Sequence, residues 1–526
     1  MSRLHAITEE NRKWWTLGSM CFALFMIMLD NTVVNVALPS IQSDLNASLS
    51  ALEWTVNVYT LTFAVLLVTG GRLGDIFGRR RAFMFGVIVF AVSSATAGLA
   101  PNESWLVASR ALQGVGAAFM MPATLSIITN AFPAHERGKA IGTWAGVSAL
   151  ALAIGPVVGG FLTEEVSWRA IFFLNLPVAA LAVFVALFAT RESRDVTVPR
   201  TVDFGGVATL TVGIGALVLA LVEGNGWGWG SPRILALLFA SAAGLVAFVI
   251  VERRVRFPMV EFSFLRSRTF AGTTAIAFVV SFSMLAMFFF MALYMQNILG
   301  YSPLEAGIRF LPSTVMIIIA APIAGRLTDR IGARIPIAVG LTLVATGLLL
   351  QSLIDSGSTY SYLLPSFILT GLGIGLTMSP MSTAAMNAVD TAKAGLASGV
   401  LSMSRMVGGT FGVAAVGALF QHMSDNRLEG RLGDLPLSSQ QQAWFADNLG
   451  SGDVPAKLQQ LDPTTAREVS ALLKDSFVHS LSASLKLSTA VAVVGVLIAL
   501  ATLRDARHQS RGTVPASVAP VARRPD

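Results

Sequence analysis

The sequence predicts an all-α integral membrane protein with fourteen spans. Of its 526 residues, 54% are hydrophobic and only 13% are charged, and the mean hydropathy is +0.67. A soluble domain carries about 25% charged residues. A span needs roughly 20 predominantly apolar residues, and such runs recur along the whole chain. Because lipid offers no hydrogen bonds to the backbone, each run is expected to cross as a helix.

The candidate spans follow one another through polar connections, most of them short. They are residues 16–38, 54–71, 83–100, 105–128, 140–162, 170–190, 205–222, 233–251, 270–293, 307–325, 335–354, 362–386, 394–420 and 484–503. A polar N-terminus, 1–15, precedes them, and a polar tail, 504–526, follows and is expected to be disordered.

The distribution of positive charge predicts that both termini are cytoplasmic. With the N-terminus inside, 26 Lys and Arg residues fall on cytoplasmic segments and three on short outer loops. This is a strong positive-inside bias. The net charge of +7 is therefore a signature of topology, and no nucleic-acid partner is expected.

One small charged loop occurs twice, each time between two apolar runs. Its pattern is Gly-x-Leu-x-Asp-x-x-Gly, and the copies begin 254 residues apart. Duplicated halves are typical of alternating-access transporters. The residues singled out are Gly71, Asp75, Gly78, Arg79 and Arg81 in the first copy, and Gly325, Asp329 and Gly332 in the second.

An acid and an arginine lie inside predicted spans. A carboxylate in hydrocarbon costs roughly 2.5–3.5 kcal/mol on insertion scales, so Asp30 is expected to face a cavity and to function there. The alternative is an acid that reaches outer water and only caps its helix. Asp30 lies about 13 Å and Arg110 about 8 Å from the outer ends of their spans, at ~1.5 Å per residue. The two are therefore predicted to pair.

Polar and aromatic residues near this pair are candidates for lining a cavity. They are Asn31, Asn35, Trp54, Asn57, Tyr59 and Gln113. The fifth span carries a second candidate motif made of small residues and a proline, which allow close helix contact and a kink. These are Gly155, Pro156, Gly159 and Gly160.

The segment around 421–483 is the longest connection between spans and is predicted to be extracytoplasmic. Val469, Leu473 and Phe477 recur at helical spacing within it. The favoured interpretation is an amphipathic helix resting on the outer membrane face.

The sequence offers no chemistry for an enzyme. It has no Walker loop, no paired catalytic carboxylates and no nucleophile with a base. Its five histidines are scattered, and its single cysteine, Cys21, lies in an apolar run. Neither a metal site nor an organic cofactor is expected.

Several motifs in order resemble the fourteen-span drug:proton antiporter branch of the major facilitator superfamily. They cover about residues 14–505 and include the loop motif, the run Leu106–Ala118 around Arg110 and the glycine-proline motif of the fifth span. Others are the runs Leu29–Pro39, Trp168–Pro177, Tyr301–Gly307 and Gly371–Gly375. Two positions depart from the pattern: Ala151 stands where the branch usually has glycine, and Ala333 where the first loop has Arg79.

The resemblance implies a domain plan and a mechanism. One six-helix bundle would span 16–190, two inserted helices 203–251, and a second bundle 270–503. Substrate would bind between the bundles, Asp30 would titrate, and the loop motif would hold the cytoplasmic closure. Members export hydrophobic, often cationic, compounds in exchange for protons, so multidrug efflux and antibiotic resistance are expected. The proton-motive force would then drive transport across a bacterial cytoplasmic membrane.

Other functions remain open on the sequence alone. The same machinery would serve an exporter of an endogenous lipid, siderophore or antibiotic. A receptor or scaffold on this fold would not need Asp30 or Arg110, and a facilitative importer is disfavoured by Gly155-Pro156. The expected partners are membrane lipids, small hydrophobic substrates and protons, and accessory export proteins are compatible with this view.

Overall fold

The computed structural model describes residues 8–45, 47, 49–196, 201–255, 258, 266–355, 357–428, 431–447, 449 and 454–503. All regular secondary structure in these ranges is helical. The tail predicted to be disordered, 504–526, lies outside them, as do residues 1–7 of the N-terminus.

The helices are numbered here in chain order. They are α1 (Arg12–Leu45), α2 (Leu49–Phe77), α3 (Arg79–Gly98), α4 (Glu103–Ala131), α5 (Arg137–Glu165), α6 (Trp168–Phe173), α7 (Asn175–Ala189), α8 (Phe204–Trp227), α9 (Pro232–Arg254), α10 (Arg268–Asn297), α11 (Pro303–Arg309), α12 (Leu311–Ile331), α13 (Arg334–Gln351), α14 (Tyr360–Asn387), α15 (Ala394–Leu428), α16 (Ser439–Asp447), α17 (Val454–Leu458) and α18 (Pro463–Thr502). Short 3₁₀ turns precede α5 and α15 at Ala134–Glu136 and Thr391–Lys393.

The predicted all-helical membrane architecture is confirmed. Within the described residues, thirteen helical segments are long and apolar enough to cross a membrane. The remaining predicted span, 140–162, lies within α5, whose 29 residues extend about 43 Å at ~1.5 Å per residue. That length exceeds the roughly 30 Å hydrocarbon core, so the helices account for about fourteen spans.

Side-chain caps explain where several helices begin. Asn102, Ser231 and Ser267 each accept a hydrogen bond from a backbone N–H of the first turn. At α11, Ser302 and Glu305 form a reciprocal capping box. Such caps satisfy N–H groups that have no partner inside the helix.

Two predicted spans are each built from two helices because of a proline. Pro177 lies in the first turn of α7, and Pro312 in the first turn of α12. A proline ring clashes with the carbonyl four residues earlier and supplies no N–H. The chain therefore breaks at Leu174 and Phe310, just before each proline-containing turn.

The expectation of a separate amphipathic helix on the outer membrane face is wrong. Residues 469–481 are the outer part of α18, which runs without interruption for 40 residues, about 60 Å at ~1.5 Å per residue. Between Pro463 and Gly495 the sequence has no proline or glycine, so nothing ends the helix. Its apolar face packs Val469 and Leu473 into a small cluster with Phe445. Because α15 continues to Leu428, the connection is also shorter than predicted.

Contacts between non-adjacent helices organise the bundle. Helix α2 packs on α15, and α5 packs on α12, so the first and second halves of the chain meet along two seams. Helices α8 and α9 pack on each other, and α8 also packs on α2 and α15. This pair therefore lies beside the α2–α15 seam.

Candidate functional site

A buried ion pair joins α1 and α4. The Arg110 guanidinium contacts the Asp30 carboxylate through Nη1 and Oδ2, and each side chain is 1% exposed. Gln113 Nε2 donates to Asp30 Oδ1 over 2.8 Å, and Asn175 Nδ2 donates to the same oxygen over 3.1 Å. The carboxylate thus has three donors, contributed by α4 and α7, and is shielded from solvent.

Further contacts orient the arginine. Arg110 Nε donates to the Thr55 carbonyl over 3.1 Å, and Nη1 donates to Gln113 Oε1 over 2.7 Å. The guanidinium carbon also lies 4.2 Å from the centre of the Tyr59 ring, within range of a cation–π interaction. Arg110 is therefore held by α1, α2 and its own helix.

The surroundings of the other cavity candidates differ from one residue to the next. Asn31 donates through Nδ2 to the Ile27 carbonyl of its own helix over 3.0 Å. Trp54 and Asn57 are partly buried on α2, and within the described chain neither hydrogen-bonds to Asp30 or Arg110. Asn35 lies on α1, and its side chain is outside the description.

Sequence analysis missed two members of this network. Asn175 Nδ2 donates to Ser94 Oγ over 3.0 Å, and Ser94 Oγ donates to the Phe172 carbonyl over 2.8 Å. Asn175 lies in the run Trp168–Pro177, which resembles the antiporter branch but assigned the asparagine no role. Its polarity within an apolar span was the available signal.

The first charged loop docks onto the start of α15. Asp75 is fully buried, and its two carboxylate oxygens accept hydrogen bonds from Gly395 N at 2.9 Å and Leu396 N at 2.7 Å. Arg79 Nε donates to Asp75 Oδ1 over 2.8 Å, and Arg79 Nη2 donates to the Thr391 and Ala392 carbonyls over 2.6 and 2.7 Å. A carboxylate at a helix N-terminus is favoured by unpaired N–H groups and the helix dipole.

The second loop repeats this geometry on the opposite seam. Asp329 on α12 accepts hydrogen bonds from Gly138 N at 3.0 Å and Lys139 N at 3.2 Å, at the start of α5. Here Ala333 stands where the first copy has Arg79, so this position cannot supply the ion pair that Arg79 makes with Asp75. Each half of the chain thus contributes one aspartate that binds a helix N-terminus of the other half.

Glycines allow this approach between the two halves. A Cβ at Gly71 would lie 2.3 Å from the Gly395 carbonyl oxygen, and a Cβ at Gly325 would lie 2.0 Å from that of Gly138. Backbone atoms cannot yield as a flexible side chain can. The two seams are therefore closed at the predicted cytoplasmic end by glycine-to-glycine contacts.

The turn glycines and Arg81 have other surroundings. Gly78 and Gly332 have φ values of 121° and 85°, which favour glycine, and each ends the helix that carries its aspartate. Arg81 is exposed, and its Nε lies 3.9 Å from Glu192 on the first half. Arg81 therefore lies away from the seam that Arg79 bridges.

The glycine motif of α5 faces α1. A Cβ at Gly155 would lie 1.8 Å from Thr32 Oγ1, and one at Gly159 would lie 3.1 Å from the Val33 backbone. A Cβ at Gly160 would meet no atom within 4 Å, and the side chain of Pro156 lies outside the description. Two glycines of the motif thus set the α1–α5 contact beside Asp30.

A second arginine inside a predicted span is also buried, and sequence analysis assigned it no role. Arg405 on α15 is 8% exposed, and its Nη2 donates to Ser402 Oγ over 3.2 Å. Its guanidinium carbon lies 5.7 Å from the centre of the Trp144 ring on α5. The Trp144 Nε1 donates to Thr124 Oγ1 over 3.2 Å, which fixes the indole.

An outer ion pair braces the first half. Arg169 and Trp168 both donate to Asp44 Oδ2. The Arg169 hydrogen bond, followed by that of Trp168, holds the pKa of Asp44 below its usual value. This contact ties the end of α1 to the start of α6.

Comparison with known proteins shows the family to which the chain is similar. The family model of the Major Facilitator Superfamily matches residues 20–413. The chain is 33% identical over 516 residues to the tetracenomycin C resistance and export protein of Streptomyces glaucescens, covering 97% of this chain and 96% of the relative. It is 37% identical over 418 residues to the multidrug resistance protein Stp of Mycobacterium tuberculosis, covering 79% and 78%.

One further relative and one solved structure are also similar to this chain. The puromycin resistance protein pur8 of Streptomyces alboniger is 38% identical over 427 residues, which is 79% of this chain and 84% of the relative. The crystal structure of the human organic anion transporter MFSD10 aligns with a TM-score of 0.59 over 93% of this chain and 99% of that chain, at 13% identity, which indicates a shared fold. The chain therefore belongs to the major facilitator superfamily, in its drug:proton antiporter branch.

Proposed function

We propose that this protein exports hydrophobic drugs or antibiotics in exchange for protons by alternating access. The observation that carries the proposal is the buried Asp30–Arg110 pair. An intramembrane carboxylate is costly and is retained where it functions. Asp30 is the carboxylate in this cluster that can take up and release a proton, and its partners come from α4 and α7. Adding a proton would cancel its attraction to Arg110 and release these helices.

Candidate residues exist both for the cytoplasmic closure and for the proton-binding site. Asp75 and Asp329 hold the closed seams, while Asp30 carries the proton between the two faces. We infer a carrier without enzyme activity or cofactor, driven by the proton-motive force. Its domain plan would be two six-helix bundles, 16–190 and 270–503, with α8 and α9 inserted between them. The predicted cationic character of the substrate stays a prediction, which the buried Arg405 on α15 does not favour.

The protein is a multi-pass membrane protein, and we propose the bacterial cytoplasmic membrane with both termini inside. The support for this orientation is the sequence count, since with the N-terminus inside 26 Lys and Arg residues fall on cytoplasmic segments and three on short outer loops. Lipids, protons and small hydrophobic substrates would be its partners. Export of an endogenous compound is a second function with the same machinery, since relatives are named for both antibiotic export and multidrug resistance.

Proton-driven exchange can be tested with purified protein in vesicles oriented with the cytoplasmic face outward. With an acidic lumen, tetracenomycin C or puromycin is expected to accumulate inside, and the lumen should become less acidic as substrate enters. Nigericin, which collapses the proton gradient, should reduce accumulation to that of protein-free vesicles. Accumulation that is equal with and without the gradient would refute proton coupling.

Replacing Gly155 with leucine is expected to stop exchange while the protein still folds. The new side chain would collide with Thr32 and force α1 and α5 apart beside Asp30; overpacking of this kind costs about 1–3 kcal/mol. The matched control is Gly160→Leu on the same helix, where the position is open. Exchange and detergent stability are measured for both. If Gly155→Leu is unfolded, the glycine has only a structural role.

A further inference from the structure

Arg405 lies near the middle of the membrane on a seam between the two halves. It is eleven residues after Ala394, where α15 begins at the predicted cytoplasmic end. At ~1.5 Å per residue this places it about 16 Å along the helix, close to half of the roughly 30 Å hydrocarbon thickness. Its ring partner, Trp144, belongs to α5 of the other half.

No carboxylate of the described residues neutralises the charge of Arg405. Within the described residues no carboxylate lies in ion-pair range of its guanidinium, Nε has no hydrogen-bond acceptor, and Nη2 has only the Ser402 hydroxyl. By contrast, Arg110 is paired with Asp30 and Arg79 with Asp75. A cation more than nine-tenths buried without a counter-charge is costly. Such a group is expected to meet its partner during function.

We propose that Arg405 binds a negatively charged or carbonyl oxygen of the exported compound, while Trp144 stacks on its aromatic ring. This rests on the proposed export function and names its substrate class: aromatic compounds bearing a carboxylate, phenolate or enolate. A guanidinium presents a planar fork of donors that fits a carboxylate. The indole supplies a flat apolar face, and its bond to Thr124 keeps that face in place.

The proton and the substrate then occupy separate sites. Asp30 already has three donors, from Arg110, Gln113 and Asn175. Arg405 and Trp144 are also buried in this conformation, and the compound would reach them when the two halves separate. Arg405 lies on the other half of the chain and retains free donor capacity. Substrate selection therefore belongs to Arg405 and Trp144, and proton coupling to Asp30.

The test compares two dyes with the same xanthene ring system and opposite charge. Fluorescein is anionic and rhodamine 6G is cationic at pH 7.4. Binding to the full-length protein in nanodiscs of uncharged lipid is measured by fluorescence anisotropy. The variants are Arg405→Gln and Arg405→Lys. The matched control is Arg309→Gln, since Arg309 also lies over an aromatic ring, that of Tyr301 at 3.5 Å, but at the end of α11.

Fluorescein affinity is expected to fall about tenfold or more in Arg405→Gln, the scale of one lost charge-assisted contact, and less in Arg405→Lys. Rhodamine 6G binding should be unchanged or tighter, which also reports that the variant is folded. Equal weakening of both dyes, or fluorescein binding that does not differ between wild type and Arg405→Gln, overturns the proposal. Because no gradient is applied, absence of proton-driven exchange in the vesicle assay would count against the function and leave this result standing.

Discussion

Replacing Asp30 with asparagine is expected to reduce proton-driven export to the level of protein-free vesicles. Asparagine keeps the size of the side chain and one acceptor oxygen, but it cannot carry a proton between the two faces. It also leaves Arg110 without its counter-charge. Breaking a buried ion pair by removing one partner costs about 3–5 kcal/mol, so stability must be measured beside transport.

A double variant separates these two effects. Asp30→Asn with Arg110→Gln removes both charges and restores electrical balance in the buried cluster. It is expected to recover thermal stability relative to Asp30→Asn while transport stays at background. Asp30→Glu, which keeps a titratable carboxyl group, should retain part of the activity. Exchange is measured across external pH 5.5 to 8.5. An asparagine variant that still concentrates substrate with wild-type pH dependence would remove Asp30 from the mechanism.

The spans could be predicted because lipid imposes one rule on every segment that crosses it. Apolar length gives the number of crossings, and the charge bias gives a prediction of their orientation. The rule says nothing about where a helix ends outside the bilayer. Helix α18 therefore continues far beyond the predicted span, since no proline or glycine stops it on the outer side.

The depths calculated from the sequence placed Asp30 and Arg110 in the same half of the bilayer, because the rise per residue is fixed in a helix. The partners of Asp75 were beyond the reach of sequence reasoning. They are backbone N–H groups of Gly395 and Leu396, 320 and 321 residues away, and a backbone donor has no signature in the sequence. The role of Arg405 was also beyond sequence reasoning, for a different reason. Its lack of a carboxylate partner within the described residues is visible only in three dimensions.

Replacing Asp75 with asparagine is expected to open the predicted cytoplasmic end and to block transport. The two carboxylate oxygens accept backbone hydrogen bonds from α15, and one of them also binds Arg79. An amide keeps one acceptor and turns an N–H group toward another donor. Each hydrogen bond to a charged group contributes about 1.5–3 kcal/mol. Losing one therefore shifts a two-state closure about tenfold or more toward the open form.

Opening of the cytoplasmic end can be measured as the labelling rate of a cysteine that the closed α2–α15 seam buries. Ser398 is fully buried on α15, one turn beyond the atoms that bind Asp75. In a background with Cys21 replaced by serine, Ser398→Cys should react with a bulky maleimide at least about tenfold faster when Asp75→Asn is added. Asp329→Asn is the matched control, because Asp329 also accepts two backbone hydrogen bonds but holds the α5–α12 seam, where Ala333 stands in place of Arg79. It should change the labelling rate at Ser398→Cys much less. Equal labelling rates in the Asp75→Asn and parent proteins, with transport intact, would show that the loop is only a connection between spans.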